Sequence, residues 1–221
     1  MPKTEEYIEG LEDIVRKMMN PLKNIRFDVV IKALTGFDVL EFNRKDAIHQ
    51  RLLANICTAA DDAAEKVLAD GGIKKARPNE VGNAIEAFIK TGLINVGYKD
   101  VDTPSGKSGK KKSQGYPDIE FTAEGNAVYL EVKSYGVGKG GGSMRSFYFS
   151  PSDDFKVSKN ALHLLIAFEI TRKADASFVT GWKIITVDNL LVDVKYEFNS
   201  NNPRLYTEHS VLAERKINLD L

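Results

Sequence analysis

Apolar positions recur at helical spacing over Thr4–Met19, where Ile8, Leu11, Ile14, Val15, Met18 and Met19 share a face and Pro21 stops the run. Ile25–Phe42 is less regular, with short apolar runs at 27–31 and 37–42, and fits either helix or strand. Arg44–Ala69 reads as one long helix ended by Gly71-Gly72. Pro78–Thr91 reads as another. Its apolar face carries Val81, Ile85, Phe88 and Ile89, with Gly92 as the C′ residue and Leu93 packing back on the last turn. The period then changes. Asn95–Val101 is a candidate strand, and Asp102–Gln114 a flexible loop rich in Gly, Ser and Lys. Tyr116–Phe121 and Ala127–Ser134 read as two paired strands turned at Glu124-Gly125-Asn126. A glycine-rich loop, Tyr135–Ser143, follows, and Arg145–Phe149 is extended. Ser152–Asn160 predicts a short helix capped by Ser152. Leu162–Ile170 is an apolar, β-prone run that predicts a central strand, and Phe178–Val187 predicts one more.

Helices come first, strands later, and one helix returns among the strands. That order predicts an α/β or α+β domain: a mixed central β-sheet flanked by helices, with an N-terminal helical part. A chain of 221 residues, 43% of them hydrophobic, suits a single domain over 1–221. Its parts are a mainly helical stretch (1–76), a core (77–187) and a C-terminal extension (188–221). Lys+Arg and Asp+Glu both number 31, which excludes a wholly basic coat but leaves room for a basic patch on one face. No apolar stretch approaches the roughly 18 residues of a membrane span. Met1–Asp13 is acidic and lacks the apolar run of a secretory signal. The single cysteine, Cys57, excludes an internal disulfide and fits a reducing cytoplasm; it reads as a small core residue of the long helix. His49, His163 and His209 stand far apart, which argues against a structural zinc site. Gly106-Lys107-Ser108 is not the end of a P-loop, because Val101 occupies the required earlier glycine position. Trp182 reads as core or edge packing.

The chemistry concentrates in Gly115–Phe121 and Tyr129–Ser134. Alternate strand residues share a face, so Glu131 and Lys133 point one way while Leu130 and Val132 point the other. If the two strands pair across the turn, Asp118 approaches Glu131. Two carboxylates are a natural seat for Mg²⁺. An ammonium beside them can orient a water and stabilise developing negative charge. This set suits phosphodiester hydrolysis without a covalent intermediate. The residues alone leave a second reading open: a solvated strand face with a weak cross-strand pair. Pro117 at the strand start, the otherwise apolar strand around Glu131 and Lys133, and the flanking Gly- and Lys-rich loops favour the chemical reading.

Pro117-Asp118, a gap of a dozen residues, and Glu131-Val132-Lys133 together resemble the signature of the PD-(D/E)XK nuclease superfamily. Within it the chain most resembles a type II restriction endonuclease. The resemblance implies a restriction-endonuclease-like core, with Asp118 and Glu131 as metal ligands and Lys133 supporting the attacking water. Arg77–Glu86, with its Asn79-Glu80-Val81-Gly82-Asn83 run, resembles the helix that precedes the catalytic strands in many restriction endonucleases. Glu80 and Glu86 lie about 120° apart around a helix and do not reach one metal together. Glu86 borders the apolar face, as a further ligand or supporting acid, and Glu80 suits the helix N-terminus; both also fit ordinary surface acids. Gly82 signals close approach of another backbone, with the strand bearing Asp118 the candidate.

The implied activity is Mg²⁺-dependent cleavage of double-stranded DNA at a short specific sequence, with Mn²⁺ able to substitute. A palindromic site implies a homodimer. Lys107, Lys110, Lys111 and Lys112, then Lys139, Ser143 and Arg145, are candidate DNA contacts, with a solvated charge run and a mobile loop as the competing readings. Two alternatives remain. One is a structure-specific nuclease of the same superfamily, such as a junction resolvase or repair nuclease. The other is a non-catalytic DNA-binding protein with the same fold.

Overall fold

A computed structural model describes residues 5–18, 22–75, 78–112, 115–137, 147, 149 and 153–195. The chain divides into two units, Ile25–Val192 and one drawn from Met1–Asn24 and Asp193–Leu221. In the second, helix α1 (Glu5–Met18) carries the predicted apolar stripe, which stays largely exposed at Ile8, Leu11, Ile14, Val15 and Met18. Its other described residues pair Val194 N–H with the Leu22 carbonyl.

The Ile25–Val192 unit is built on a mixed sheet. Strand β3 (Ile119–Ala123) and β4 (Asn126–Gly136) form an antiparallel hairpin. Glu124 and Gly125 turn it with φ of 51° and 83°, the two positive values that a tight two-residue hairpin loop requires. β4 runs parallel to β5 (Ala161–Lys173), in register from Val128↔Leu162 to Gly136↔Ile170. The other edge of β5 pairs first with β2 (Val39–Leu40), parallel, and then with β6 (Ala176–Thr186), antiparallel. β1 (Ile25–Arg26) and β7 (Leu191–Val192) make a separate two-stranded ribbon.

Alternation along β4 and β5 sorts the core into two clusters. Val128, Leu130 and Val132, with Leu162, Leu164, Ile166 and Phe168, meet α3 (Ala47–Ala69) and α4 (Pro78–Asn95) on one face. Tyr129, Leu165 and Ala167 meet Phe27 and Ile31 of α2 (Phe27–Thr35) on the other. The predicted architecture, a mixed central sheet flanked by helices, is therefore the observed one. The strand predicted at Leu162–Ile170 is central and buried along its first half, as its apolar run required.

Several local expectations give way. The long helix starts at Ala47 rather than Arg44, because the Asp46 carboxylate accepts hydrogen bonds from Ile48 and His49 N–H and caps it there. Asn95–Val101 forms no strand: α4 continues to Asn95, and only Asp102 bridges to Glu120. Gly92 is not the C′ residue of α4 but lies inside it, at the crossing with α3. A Cβ there would sit 3.0 Å from Ala59 Cα, so the glycine serves interhelical contact. Gly97, with φ of 108°, follows the helix end instead. The helix expected at Ser152–Asn160 is absent over the described residues 153–160. Backbone groups that a helix would use there are taken elsewhere. Lys107 N–H donates to the Phe155 carbonyl, Lys112 Nζ to the Asp154 carbonyl, and Ser158 N–H to Tyr129 Oη. Cys57 is half-buried on α3, and Trp182 Nε1 on β6 donates to Asp61 Oδ1 at 2.8 Å.

Helix propensity alone predicts that Gly92→Ala stabilises the fold by about 1 kcal/mol. Steric crowding against Ala59 predicts the opposite, and we expect a net destabilisation of about 1–3 kcal/mol by urea unfolding. A more stable variant would mean that α3 and α4 can separate without cost.

Candidate active site

The β3–β4 register begins at Ile119↔Leu130, which places Asp118 at the mouth of the hairpin, next in line to Glu131. The Asp118 carboxylate is fixed there: its Oδ2 accepts a hydrogen bond from Val132 N–H at 2.9 Å. Glu131 and Lys133 emerge from the same face of β4, and Lys133 Nζ lies 2.5 Å from Glu131 Oε1. Asp118, Glu131 and Lys133 are thus brought together, as the spacing predicted.

Burial dominates the electrostatics. Glu131 is only 3% exposed, and its Oε2 has no hydrogen-bond partner. Loss of solvent, then the neighbouring Asp118 charge, pushes its pKa up to about 7, against the pull of Lys133. Asp118 is also raised, by burial first. Val132 N–H and Lys133 act to lower it, and Glu86 to raise it. Two adjacent carboxylates lie here beside Lys133, and one of them keeps an orphaned buried oxygen. That donor set fits a divalent cation preferring oxygen ligands. Among the described residues no three His, Cys, Asp or Glu side chains gather to hold an ion.

Glu86 does not join the pair directly. It is half-buried on α4, with Oε1 2.6 Å from Lys90 Nζ, and Lys90 also donates to Thr103 Oγ1 at 2.6 Å. Glu80 is half-buried in the first turn of α4. Gly82 does face the sheet, but the approach differs from expectation. A Cβ there would lie 3.4 Å from Ser134 Oγ, so its neighbour is a side chain of β4 and not the strand that follows Asp118.

Over its described residues the lysine-rich loop makes several hydrogen bonds and ion pairs. Ser105 bridges to Lys111, and Ser108 N–H donates to Asp154 Oδ1 at 2.8 Å. Lys111 pairs with Asp102, and Lys112 with Asp154 at 3.3 Å. Lys107 and Lys110 remain exposed. Lys139, Ser143 and Arg145 lie outside the described residues.

Two neighbours of the site carried no signal in the sequence. Lys156, 2% exposed, lies in the stretch expected to be helical, and only its position between Phe155 and Val157 hinted at burial. His163 is a lone polar residue in the apolar run of β5. Its Nδ1 shares a 2.7 Å hydrogen bond with Tyr116 Oη, its Nε2 has no partner, and Phe27 and Tyr129 pack edge-on against the ring.

A mixed sheet flanked by helices, with a carboxylate pair and a lysine on its β3–β4 hairpin, is consistent with a restriction-endonuclease-like core. The model of the type II restriction enzyme MjaV family matches residues 21–209. The chain is 33% identical over 228 residues to the type II restriction enzyme MjaV of Methanocaldococcus jannaschii, covering 96% of this chain and 98% of that protein. The chain belongs to the type II restriction enzyme MjaV family, and so is a restriction endonuclease, a hydrolase that acts on DNA. No solved structure matches it. No helix among the described residues is long and apolar enough to cross a membrane.

Burial lowers the His163 pKa from 6.5 to about 3. The folded state therefore holds the ring neutral, while the unfolded chain takes up a proton as pH falls below 6.5. This group costs nothing above that pH and removes stability between 6.5 and 3. Between pH 7.5 and 5 the native protein should lose about 2 kcal/mol through this residue. In urea unfolding at the two pH values, His163→Asn should lack that component; equal losses in both proteins would contradict the assignment.

Proposed function

We propose that the chain cuts double-stranded DNA at a short specific sequence, with Mg²⁺ as the working ion and Mn²⁺ able to replace it. The observation that carries this reading is the convergence of Asp118, Glu131 and Lys133 at one end of the β3–β4 hairpin. Asp118 and Glu131 would hold the cation through their carboxylate oxygens, Glu131 offering the oxygen that has no other partner. When bound, the ion supplies Lewis-acid polarisation of the phosphodiester and acidifies water. Lys133 holds the attacking water by hydrogen bonding and places positive charge beside the phosphorus as its oxygens gain charge. Water oxygen bonds to phosphorus, the bond to the leaving sugar oxygen breaks, the water proton passes to solvent, and the leaving oxygen is protonated. Glu86 adds negative charge behind the pair, since it acts on Asp118 electrostatically without touching it.

Exposed Lys107 and Lys110 suit phosphate contact, which gives affinity without sequence preference. Lys111 and Lys112, already paired with Asp102 and Asp154, would act by exchanging those partners for phosphate. Lys139, Ser143 and Arg145 are proposed to complete the DNA contacts. We take 1–221 to act as one nuclease domain, with 77–187 carrying the chemistry, as a homodimer in the cytoplasm that sets one site on each strand of a palindrome.

Digestion of a sequenced plasmid tests the reading. Discrete fragments are expected with Mg²⁺ and none with EDTA, and Lys133→Ala should slow cleavage by about 10²–10⁴-fold. A smear without preferred ends would replace sequence specificity with structure-directed or unspecific cutting. Cleavage undiminished in EDTA would overturn the metal-dependent reading.

A further inference from the structure

A lysine that is 2% exposed needs a reason to be where it is, because a buried ammonium is costly unless its hydrogens are taken up. Lys156 lies in the sequence between β4 and β5. Its Nζ donates to the carbonyl of Gly115 at 2.7 Å and to that of Pro117 at 2.8 Å. Both carbonyls belong to the short turn that immediately precedes Asp118. The two hydrogen bonds hold that turn from a point 39 residues further along the chain. A methionine would fill the same space without the desolvation cost, so packing alone does not account for a lysine here.

We propose that Lys156 is a positioning residue of the nuclease site: by gripping the Gly115 and Pro117 carbonyls it fixes Asp118 against β4, beside Glu131, so that both carboxylates serve one divalent cation. The Val132 N–H bond to Asp118 holds the carboxylate, and Lys156 holds the backbone from which that carboxylate projects. Asp118 is thereby restrained at both ends. The charge acts in the same direction, since Lys156 favours the ionised forms of Asp118 and Glu131 against their burial. The inference rests on the metal-dependent reading above.

The test compares the full-length native protein with Lys156→Met, Lys156→Arg and Asp118→Asn. Mn²⁺ binding without DNA is measured by electron paramagnetic resonance, cleavage is followed over a series of Mn²⁺ concentrations, and thermal melting gives the folded fraction. Lys156→Met should weaken Mn²⁺ binding by about 10-fold or more, as for groups that orient metal ligands, and excess Mn²⁺ should restore cleavage. Lys156→Arg keeps the charge and donors and should bind Mn²⁺ within about threefold of native. Asp118→Asn should lose binding that excess metal does not restore. A folded Lys156→Met that binds Mn²⁺ as the native protein does overturns the proposal. So does a loss of cleavage that follows the folded fraction alone at every Mn²⁺ concentration. If Lys156→Met does not fold, Lys156→Gln and Lys156→Arg decide by the same Mn²⁺ affinities: Gln weakened and Arg retained supports the proposal, and both unchanged removes it. A native protein that neither binds Mn²⁺ nor cleaves removes the metal-dependent reading and this inference together. Native binding and cleavage with an unaffected Lys156→Met removes this inference only.

Discussion

Parallel pairing of β4 with β5 is the interaction on which the Ile25–Val192 unit depends. It runs in unbroken register from Val128↔Leu162 to Gly136↔Ile170. Each strand must satisfy both faces: α3 and α4 cover Leu130, Leu164 and Ile166, while α2 covers the side of Tyr129 and Leu165. Parallel strands need a long crossover between them. Here that crossover brings Asp154 to the lysine-rich loop and Lys156 to the turn before Asp118. The connection that the sheet topology demands is therefore also the element that organises the mouth of the site.

The same register sets an electrostatic conflict. Strand alternation puts Glu131 and Lys133 on the face of β4 that also carries the buried Tyr129, and it leaves Glu131 almost fully out of solvent. Asp118, just ahead of β3, adds charge repulsion. Lys133 offsets part of it at 2.5 Å, yet one carboxylate oxygen of Glu131 stays unpartnered. Packing at the hairpin thus places two carboxylates where hydration cannot relieve their repulsion, and that is the feature on which the proposed cation site rests.

The fold class and the convergence of Asp118, Glu131 and Lys133 were legible because they depend on local rules. Apolar period marked α3, α4, β4 and β5, and a two-residue spacing put Glu131 and Lys133 on one face. What failed depended on partners distant in sequence. Gly92 looked like a helix terminator because its contact, Ala59, lies on another helix. The 153–160 stretch has helix-compatible residues, but Lys107, Lys112 and Tyr129 claim its backbone groups. Lys156 gave no pattern at all, since its value comes from two carbonyls across the fold. Glu86 does border the apolar face and is half-buried, but its pairing with Lys90, which also donates to Thr103, is a matter of three-dimensional neighbours.

The distance along the chain between Pro117 and Lys156 has a consequence for synthesis. A ribosome releases Asp118, Glu131 and Lys133 well before it releases Lys156 and β5. A growing chain at that stage has the acids but neither the clamp on the turn nor the strand that completes the sheet. Domains tend to fold as units once their residues have emerged. A product truncated before Lys156 therefore lacks both the strand on which β4 pairs and the Lys156 hydrogen bonds to the turn before Asp118.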